Sequence, residues 1–181
     1  MANHEARPQI ESVDLLLAFS RTKDGVKNRK CIRTIIRDYD LDLAVLEAKL
    51  KLMGGTWRIH KTVNSRDTEK ARKWIIHKLI DNPEFAGCVD SLWRTALLQP
   101  EHVYGEKKFM FDIDTKDGEI LGMIINKIKE KGTIKEIIET PAGVHIITNK
   151  FNTQDVCQIP VVSLIRDGYV FIKKIEYKGD K

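Results

Sequence analysis

The spacing of apolar residues changes twice between residues 108 and 148, and this change limits the folds that the chain can adopt. Residues 108–115 alternate in character and predict a strand, because successive side chains of a strand point to opposite faces. An apolar stripe at helical spacing comes next and consists of Ile120, Leu121, Ile124, Ile125 and Ile128. Residues 133–148 then predict a hairpin with a turn at residues 140–143. This order predicts a sheet with a helix packed against it.

Strands and helices also alternate in the first half of the chain. Residues 56–63 alternate as a strand does, which puts Arg58 and His60 on one polar face. A helix precedes this strand, and two helical stripes, which Pro83 and Pro100 close, follow it. The two halves together predict an α/β (α+β) fold with one mixed sheet and helices mainly on one of its faces. This layout is similar to the RNA-recognition-like or ferredoxin-like palm.

Two additions to this palm are predicted, one toward each end of the chain. Residues 40–53 carry the apolar stripe of an N-terminal helix, which the glycine pair at 54–55 ends. A C-terminal hairpin combines residues 161–165 with residues 169–172. The Asp-Gly pair at 167–168 suits the type I′ turn of such a hairpin.

The chain of 181 residues has the length of one domain, and its hydrophobic fraction of 42% is sufficient for a core. We therefore expect a single domain over residues 1–181, with a palm-like core over residues 56–150. Residues 1–10 are polar and charged and predict a flexible tail. Residues 21–30 have the same character and predict a loop.

The formal net charge of +5 is a mild basic excess. It permits nucleic acid or nucleotide phosphates as partners without requiring them. The three cysteines are widely spaced, so neither a disulfide framework nor a cysteine-rich zinc site is expected. No apolar run approaches the roughly 20 residues of a membrane span, and the N-terminus has no apolar signal core. We expect a cytoplasmic protein with no membrane partner.

Two acidic residues, Asp112 and Asp114, interrupt an otherwise apolar strand. The period of two directs Phe109, Phe111 and Ile113 to one face and both carboxylates to the other. Carboxylates at a Cα spacing of roughly 7 Å repel each other unless a divalent cation lies between them. Asp is also a poor strand former, and breaks of local preference tend to occur at functional sites. We therefore expect Mg²⁺ or Mn²⁺ at this pair, with solvated or cation-paired acids as the alternative.

The predicted hairpin directs one histidine. His145 follows the turn residue Gly143 on the outgoing strand, so the turn fixes the direction of its imidazole. If this strand neighbours the acidic strand, His145 can reach a phosphate oxygen or orient a ligand. The alternative is a half-buried histidine with a backbone partner.

The segment of residues 62–67 passes from a strand into a helix. Unpaired backbone N–H groups and the helix dipole favour an anion at such a point. Arg58 and Arg66 are therefore candidate phosphate contacts. Capping by Ser65 or Asp67 is the alternative, and it needs no ligand.

The strand motif of residues 111–114 and the motif Gly143-Val144-His145 together resemble the first two motifs of the archaeo-eukaryotic primase superfamily. This superfamily includes primase-polymerases of cells, phages and plasmids. The resemblance implies a palm in which the acid pair binds divalent metal ions and the histidine contacts the triphosphate of the incoming nucleotide. Asp112 and Asp114 would then be metal ligands, and together with His145 they would form the catalytic set.

The chain departs from the primase pattern at several points. Gly143 stands where the second motif often has serine, which removes a hydroxyl able to hold a phosphate. A third acidic motif is harder to find, because a hairpin turn accounts for Asp167. The sequence also lacks the zinc-binding elements and the helical accessory domain of the family, and we expect a minimal or divergent member.

The resemblance implies template-directed nucleotidyl transfer in DNA replication, with Mg²⁺ or Mn²⁺ as the cofactor. The partners would be nucleoside triphosphates, a DNA or RNA template and a protein of a replication complex. Three alternatives stay open: a noncatalytic module that binds single-stranded nucleic acid or a protein partner, an inactive primase-like protein, and a metal-dependent nuclease. Whether the chain is an enzyme is not decided by the sequence.

Overall fold

The computed structural model describes residues 11–20 and 30–177. The predicted tail, residues 1–10, lies outside the described residues, and so does the predicted loop except for residue 30. The described strands are β1 (Ser12–Val13), β2 (Leu15–Phe19), β3 (Cys31–Ile35), β4 (Gly55–Thr62), β5 (Arg66–Asp67), β6 (Lys108–Ile113), β7 (Ile134–Glu139), β8 (Val144–Asn149), β9 (Val162–Ile165) and β10 (Tyr169–Tyr177). The described α-helices are α1 (Tyr39–Met53), α2 (Thr68–Asp81), α3 (Val89–Leu97), α4 (Gly118–Lys131) and α5 (Gln154–Cys157). None of the helices in these ranges is long and apolar enough to cross a membrane.

The first four-stranded sheet, here called sheet I, has the antiparallel order β10-β4-β2-β3. Helix α1 packs against one of its faces, and α2 and α3 pack against the other. Both faces of the central strand β2 are therefore covered, and the residues from Leu15 to Ala18 are each at most 1% exposed. The predicted end of the first helix is confirmed at Gly54 and Gly55, whose φ angles of 63° and 83° favour glycine.

The second four-stranded sheet, here called sheet II, has the antiparallel order β7-β8-β6-β9. Its elements follow one another as β6, α4, β7, β8, α5 and β9, with β6 and β8 at the centre, as in the ferredoxin-like layout. Helices α4 and α5 cover one face, where Ile124, Ile128 and Val156 share a buried cluster with Phe111. The predicted α+β class and the predicted hairpin of residues 133–148 are confirmed.

The strands divide between two antiparallel sheets and a two-stranded ribbon of β1 and β5, whereas the sequence predicted one mixed sheet. The βαββαβ unit spans residues 108–165. The predicted core range of 56–150 therefore combines parts of both sheets and stops before β9. An alternating pattern fixes which residues of a strand face a core, but it does not specify the neighbouring strand.

The predicted C-terminal hairpin is not formed. Strand β9 pairs with β6 in sheet II, whereas β10 pairs with β4 in sheet I. Gly168 has no positive φ, as a type I′ turn would require. A Cβ atom there would lie 2.6 Å from the Ile165 side chain and 3.0 Å from Met110, so close packing accounts for the glycine. The carboxylate of Asp167 binds Arg66, and the connection between β9 and β10 joins the two sheets.

The two sheets meet at a small apolar cluster of Val63, Met110, Ile147 and Val170. Met110 and Ile147 are strand partners on the face of sheet II that carries no helix. Sheet I therefore covers part of the face of sheet II that is opposite its helices. The pleat of β6 puts Asp112 on this same face, two residues after Met110.

Candidate active site

Asp112 and His145 are direct partners on the two central strands of sheet II. Their side chains lie on the face without helices, since the adjacent residues Phe111 and Ile146 belong to the helix-packed core. Nε2 of His145 is 3.3 Å from Oδ1 of Asp112. From the sequence, His145 is expected to reach a ligand only if its strand neighbours the acidic strand, and β6 and β8 are neighbours.

A second contact orients the imidazole of His145 from the other side. The backbone N–H of Phe171, on the edge strand β10 of sheet I, donates to Nδ1 of His145 at 3.4 Å. Because Nδ1 accepts this bond, the proton of the neutral ring lies on Nε2, the nitrogen that is 3.3 Å from Oδ1 of Asp112. His145 is only 7% exposed. The imidazole thus connects the two sheets, and it has the backbone partner that the alternative interpretation required.

Asp114 follows the last residue of β6, and its side chain is exposed. Its backbone N–H donates to the carbonyl oxygen of Val161 at 3.1 Å, which keeps the residue beside the start of β9. Within residues 11–20 and 30–177, no side chain forms an ion pair or a hydrogen bond with the Asp114 carboxylate. The cation-paired alternative therefore does not apply to this acid in the described part of the chain.

Ser163 is a third polar residue at this site, and the sequence analysis did not indicate it. It is the partner of Asp112 on β9, on the side away from His145, and its side chain is exposed. Directly opposed residues of antiparallel strands share a face, so Asp112 lies between an imidazole and a hydroxyl. The alternation of Ser163 with the core residues Val162 and Leu164 is the signal that could have indicated it.

The possible metal ligands of this site are oxygen atoms. The carboxylates of Asp112 and Asp114 and the hydroxyl of Ser163 suit a hard cation such as Mg²⁺ or Mn²⁺, which keeps several water ligands. Within the described part of the chain, no group of three or more His, Cys, Asp or Glu side chains is arranged to hold a metal ion. These residues therefore fit such a cation as a partial coordination sphere, which water and a ligand must complete.

Gly143 lies against the end of the acidic strand. A Cβ atom at this position would be 1.9 Å from the carbonyl oxygen of Ile113 and 2.8 Å from the backbone nitrogen of Thr115. Backbone atoms cannot move aside as a flexible side chain can, so a serine does not fit here. The departure from the primase pattern thus has a steric cause, because the turn approaches the acidic strand too closely for any side chain.

Arg66 does not face a ligand site in this structure. Its side chain is 1% exposed, and its two terminal nitrogens donate to the two carboxylate oxygens of Asp167, each at 2.9 Å. The amide of Asn64 donates to Asp167 at 3.2 Å and also bonds the backbone N–H and C=O of Lys108. The predicted phosphate contact at Arg66 is therefore corrected, because both terminal nitrogens already bind a carboxylate.

The start of α2 is closed by its own capping residue. Asp67 accepts a hydrogen bond from the backbone N–H of Lys70 at 2.9 Å. Capping of this segment is thus confirmed, and the helix start requires no anion.

Arg58 and His60 share one face of β4, as the strand pattern predicted. The ring of His60 contacts that of Phe171 at a centroid distance of 5.7 Å, and the N–H of Phe171 binds His145. Arg58 lies two residues before His60 and is half-buried. A phosphate contact by Arg58 stays a prediction.

A cavity of about 540 Å³ opens between the two sheets, a size within the range of small-molecule sites. It begins close to His145, because its lining includes Ile138, the β7 partner of His145, and Ile147, the next residue of β8 on the same face. The lining also contains three lysines: Lys61, Lys108 and Lys135. Lys61 forms an ion pair with Asp14 at 2.8 Å. The lining also contains the acids Asp14 and Glu136, so the cavity combines apolar walls with a small excess of positive charge.

Comparison of the chain with protein-family models, curated proteins and solved structures found no match. The chemistry available to the site therefore follows from its own geometry. Carboxylate, imidazole and hydroxyl groups meet on one face of sheet II, beside a cavity that carries lysines. Such a set is able to bind a cation and to orient a phosphorylated ligand.

Proposed function

We propose that this chain is a metal-dependent nucleotidyltransferase of the primase-polymerase type, which acts on a nucleic-acid template. The observation that carries the proposal is the direct pairing of Asp112 with His145 on the central strands of a βαββαβ sheet. Both side chains lie on the face without helices, where a template and a nucleotide can approach. The resemblance to the primase superfamily requires an acid and an imidazole in this relation.

Asp112 and Asp114 are the proposed ligands of Mg²⁺ or Mn²⁺, and Ser163 is positioned to hold a bound water or the ion itself. Such an ion would lower the pKa of the attacking 3′-hydroxyl and offset the charge of the triphosphate. The exposure of Asp114 supports this assignment, because its carboxylate is accessible without breaking an ion pair among the described residues.

His145 is the proposed contact to the triphosphate. Its Nε2 lies 3.3 Å from Oδ1 of Asp112, and this contact does not meet the geometry of a hydrogen bond, so a phosphate oxygen could take the Nε2–H group as its donor. The bond from the Phe171 N–H to Nδ1 would keep the ring oriented during this exchange. The adjoining cavity would receive the nucleotide, with its lysines as the cationic groups nearest to the phosphates. Arg58, the other proposed phosphate contact, does not line this cavity among the described residues.

Calorimetric titration of Mn²⁺ into the wild-type protein and into Asp112→Asn tests the metal site. We expect the variant to bind Mn²⁺ at least about tenfold more weakly, because a charged oxygen ligand is lost. Asp40→Asn is the matched control, since this exposed acid in the first turn of α1 lies outside the site and should leave Mn²⁺ binding unchanged. A primer-extension assay with the same three proteins tests the reaction, and incorporation should be lost only in Asp112→Asn. Equal Mn²⁺ binding and equal extension in all three proteins would refute the proposal.

A noncatalytic module that binds single-stranded nucleic acid is the second candidate. Ser163 favours this candidate, because the position on β9 opposite Asp112 carries a neutral hydroxyl and not a third carboxylate. This candidate predicts that nucleic-acid binding persists in chelator and survives the double substitution of Asp112 and Asp114 by asparagine. Product length on a gel separates the outcomes: extended strands indicate a polymerase, unchanged strands a binding module, and shortened strands a nuclease.

A further inference from the structure

A depression of about 450 Å³ lies at the end of sheet II that is farthest from the acid pair. Lys107 precedes β6, Lys150 follows β8, and Arg166 follows β9. Because β6 runs antiparallel to both β8 and β9, these three positions meet at one end of the sheet. All three residues line the depression, together with Phe109 and Phe151.

The charges around this depression are of one sign. No carboxylate is among the described residues that line it. Within the described ranges, Lys107, Lys150 and Arg166 have neither an ion pair nor a side-chain hydrogen bond, whereas Lys61 and Lys131 each pair with an acid. Three cations around one concavity repel each other, and a bound anion relieves this repulsion. The site therefore selects for a ligand with more than one negative charge.

We propose that this depression binds the phosphodiester backbone of single-stranded nucleic acid. Several phosphates along a strand match several separated cations better than one compact anion does. Phe109 is 7% exposed and Phe151 is half-buried, so their rings form an apolar wall against which a sugar or a base can pack. A flat bilayer surface cannot enter a concavity, whereas a flexible strand can.

The position of the depression relates it to the acid pair. Lys107 and Asp112 are five residues apart along β6, which corresponds to about 17 Å. This length equals the axial rise of about five stacked nucleotides. Phe109, which lines the depression, lies on the helix-packed face of β6, whereas Asp112 lies on the opposite face. A bound strand would therefore have to pass around the edge of sheet II to reach the acid pair, and it would then be the template. The assignment of this strand as the template rests on the proposed function, whereas the binding of a strand in the depression does not.

Fluorescence anisotropy of a labelled single-stranded oligonucleotide, measured in EDTA, tests this site. The variant Lys150→Gln/Arg166→Gln removes two of the three cations, and both residues are exposed, so the fold should be retained. We expect binding to weaken by roughly tenfold. The slope of log affinity against log salt concentration should fall in magnitude by about 1.4, or about 0.7 per lost phosphate contact.

The matched control is Lys49→Gln/Lys51→Gln, which removes two exposed charges from α1 and changes the net charge equally. It should bind the oligonucleotide as the wild type does. Equal weakening in both double variants, or no weakening in either, would overturn the proposal, and so would equal affinity for a duplex of the same sequence. Loss of binding to phosphatidylserine vesicles without loss of oligonucleotide binding would assign the depression to a membrane instead.

The same assay separates this inference from the proposed function. Asp112→Asn should bind the oligonucleotide like the wild type in EDTA, because the acid pair lies at the other end of β6. If no extension activity is found but the loss in Lys150→Gln/Arg166→Gln is observed, the proposed function fails and the strand-binding site stands. If extension occurs and the double variant binds normally, the site fails and the proposed function stands.

Discussion

Two pairs of acidic and basic side chains connect distant parts of this chain, and they differ in how completely they are satisfied. In the Arg66–Asp167 pair, two bonds of 2.9 Å join side chains that are 1% and 13% exposed. In the His145–Asp112 pair, one contact of 3.3 Å joins side chains that are 10% and 32% exposed. The first pair leaves no terminal nitrogen of the arginine free, whereas the second leaves a carboxylate partly open to solvent.

This difference shows that an ion pair alone does not indicate function. A buried pair must match its two charges, because an unmatched buried charge is strongly destabilising. In the Arg66–Asp167 pair both terminal nitrogens are bonded, whereas Nε of Arg66 is buried without a hydrogen-bond partner among the described residues. Asn64 completes this arrangement by bonding both Asp167 and the backbone of Lys108 at the start of β6. We call Arg66–Asp167 the closed pair and His145–Asp112 the open pair. The closed pair thus fixes the position of sheet I against β6. The open pair, at the other end of the same strand, keeps groups available for a ligand.

The largest effect that tests this contrast is expected at the closed pair. Arg66→Met should lower the free energy of unfolding by about 3–5 kcal/mol, because Asp167 would keep a charge without its partner. Urea denaturation monitored by circular dichroism measures this loss. Arg72→Met is the control, since Arg72 pairs with Glu69 on the exposed surface of α2 and should have little effect. Similar losses in the two variants would contradict the structural role of Arg66.

The next effect is expected at the turn beside the open pair. Gly143→Ala should lower the free energy of unfolding by about 1–3 kcal/mol, because its Cβ would press on the backbone of Ile113. Gly122→Ala is the matched control in α4, where a Cβ meets nothing within 4 Å. This control should raise stability by about 1 kcal/mol, since alanine favours helix. An unchanged free energy of unfolding in Gly143→Ala would contradict the close approach of the turn to the acidic strand.

A smaller effect on stability is expected at the open pair itself. Asp112→Asn should change the free energy of unfolding by less than about 1 kcal/mol, because the Asp112 side chain is 32% exposed and asparagine keeps an oxygen of the same shape beside His145. The same denaturation experiment measures this change. A loss as large as that of Arg66→Met would mean that the open pair is structural, and the contrast between the two pairs would fail.

The smallest effect concerns the carboxylate of Asp42, which accepts hydrogen bonds from two backbone N–H groups. The backbone N–H groups of Arg37 and Asp38, at 2.7 Å and 2.9 Å, lower the pKa of Asp42 below its ordinary value. A lowered pKa stabilises the fold above the unfolded-state pKa, and this contribution is lost as the pH falls through the folded-state pKa. Asp42→Asn should therefore be less stable than the wild type by about 0.5 kcal/mol at neutral pH. The difference should shrink below about pH 4, and a difference that stays constant with pH would contradict this origin.

Local patterns predicted most of the elements correctly. The helix that ends at Gly54 and the hairpin of residues 133–148 lie where the spacing of apolar residues indicated them. The period of two also predicted that Asp112 and the flanking Phe111 face opposite sides of β6. Each of these predictions depends only on residues a few positions apart, and the tertiary structure left these patterns unchanged.

The errors have a common physical origin in contacts between residues far apart in the chain. The Asp-Gly pair at 167–168 suits a tight turn, yet Asp167 binds Arg66, which is 101 positions away. Arg66 lies in the polar segment after strand β4, and this position predicts an exposed side chain. The ion pair with Asp167 buries the side chain instead. Ser163 was missed because its importance depends only on the strand beside it.

The sequence by itself determined that this chain forms an α+β fold and that Asp112 faces away from a helix-packed core. The tertiary structure decided that the strands divide between two sheets, that His145 and Ser163 flank Asp112, and that Arg66 is buried. Side-chain alternation and helical spacing arise from the geometry of neighbouring residues. Strand partners and burial arise from the competition of all segments for one core, and no local stretch of sequence contains that information.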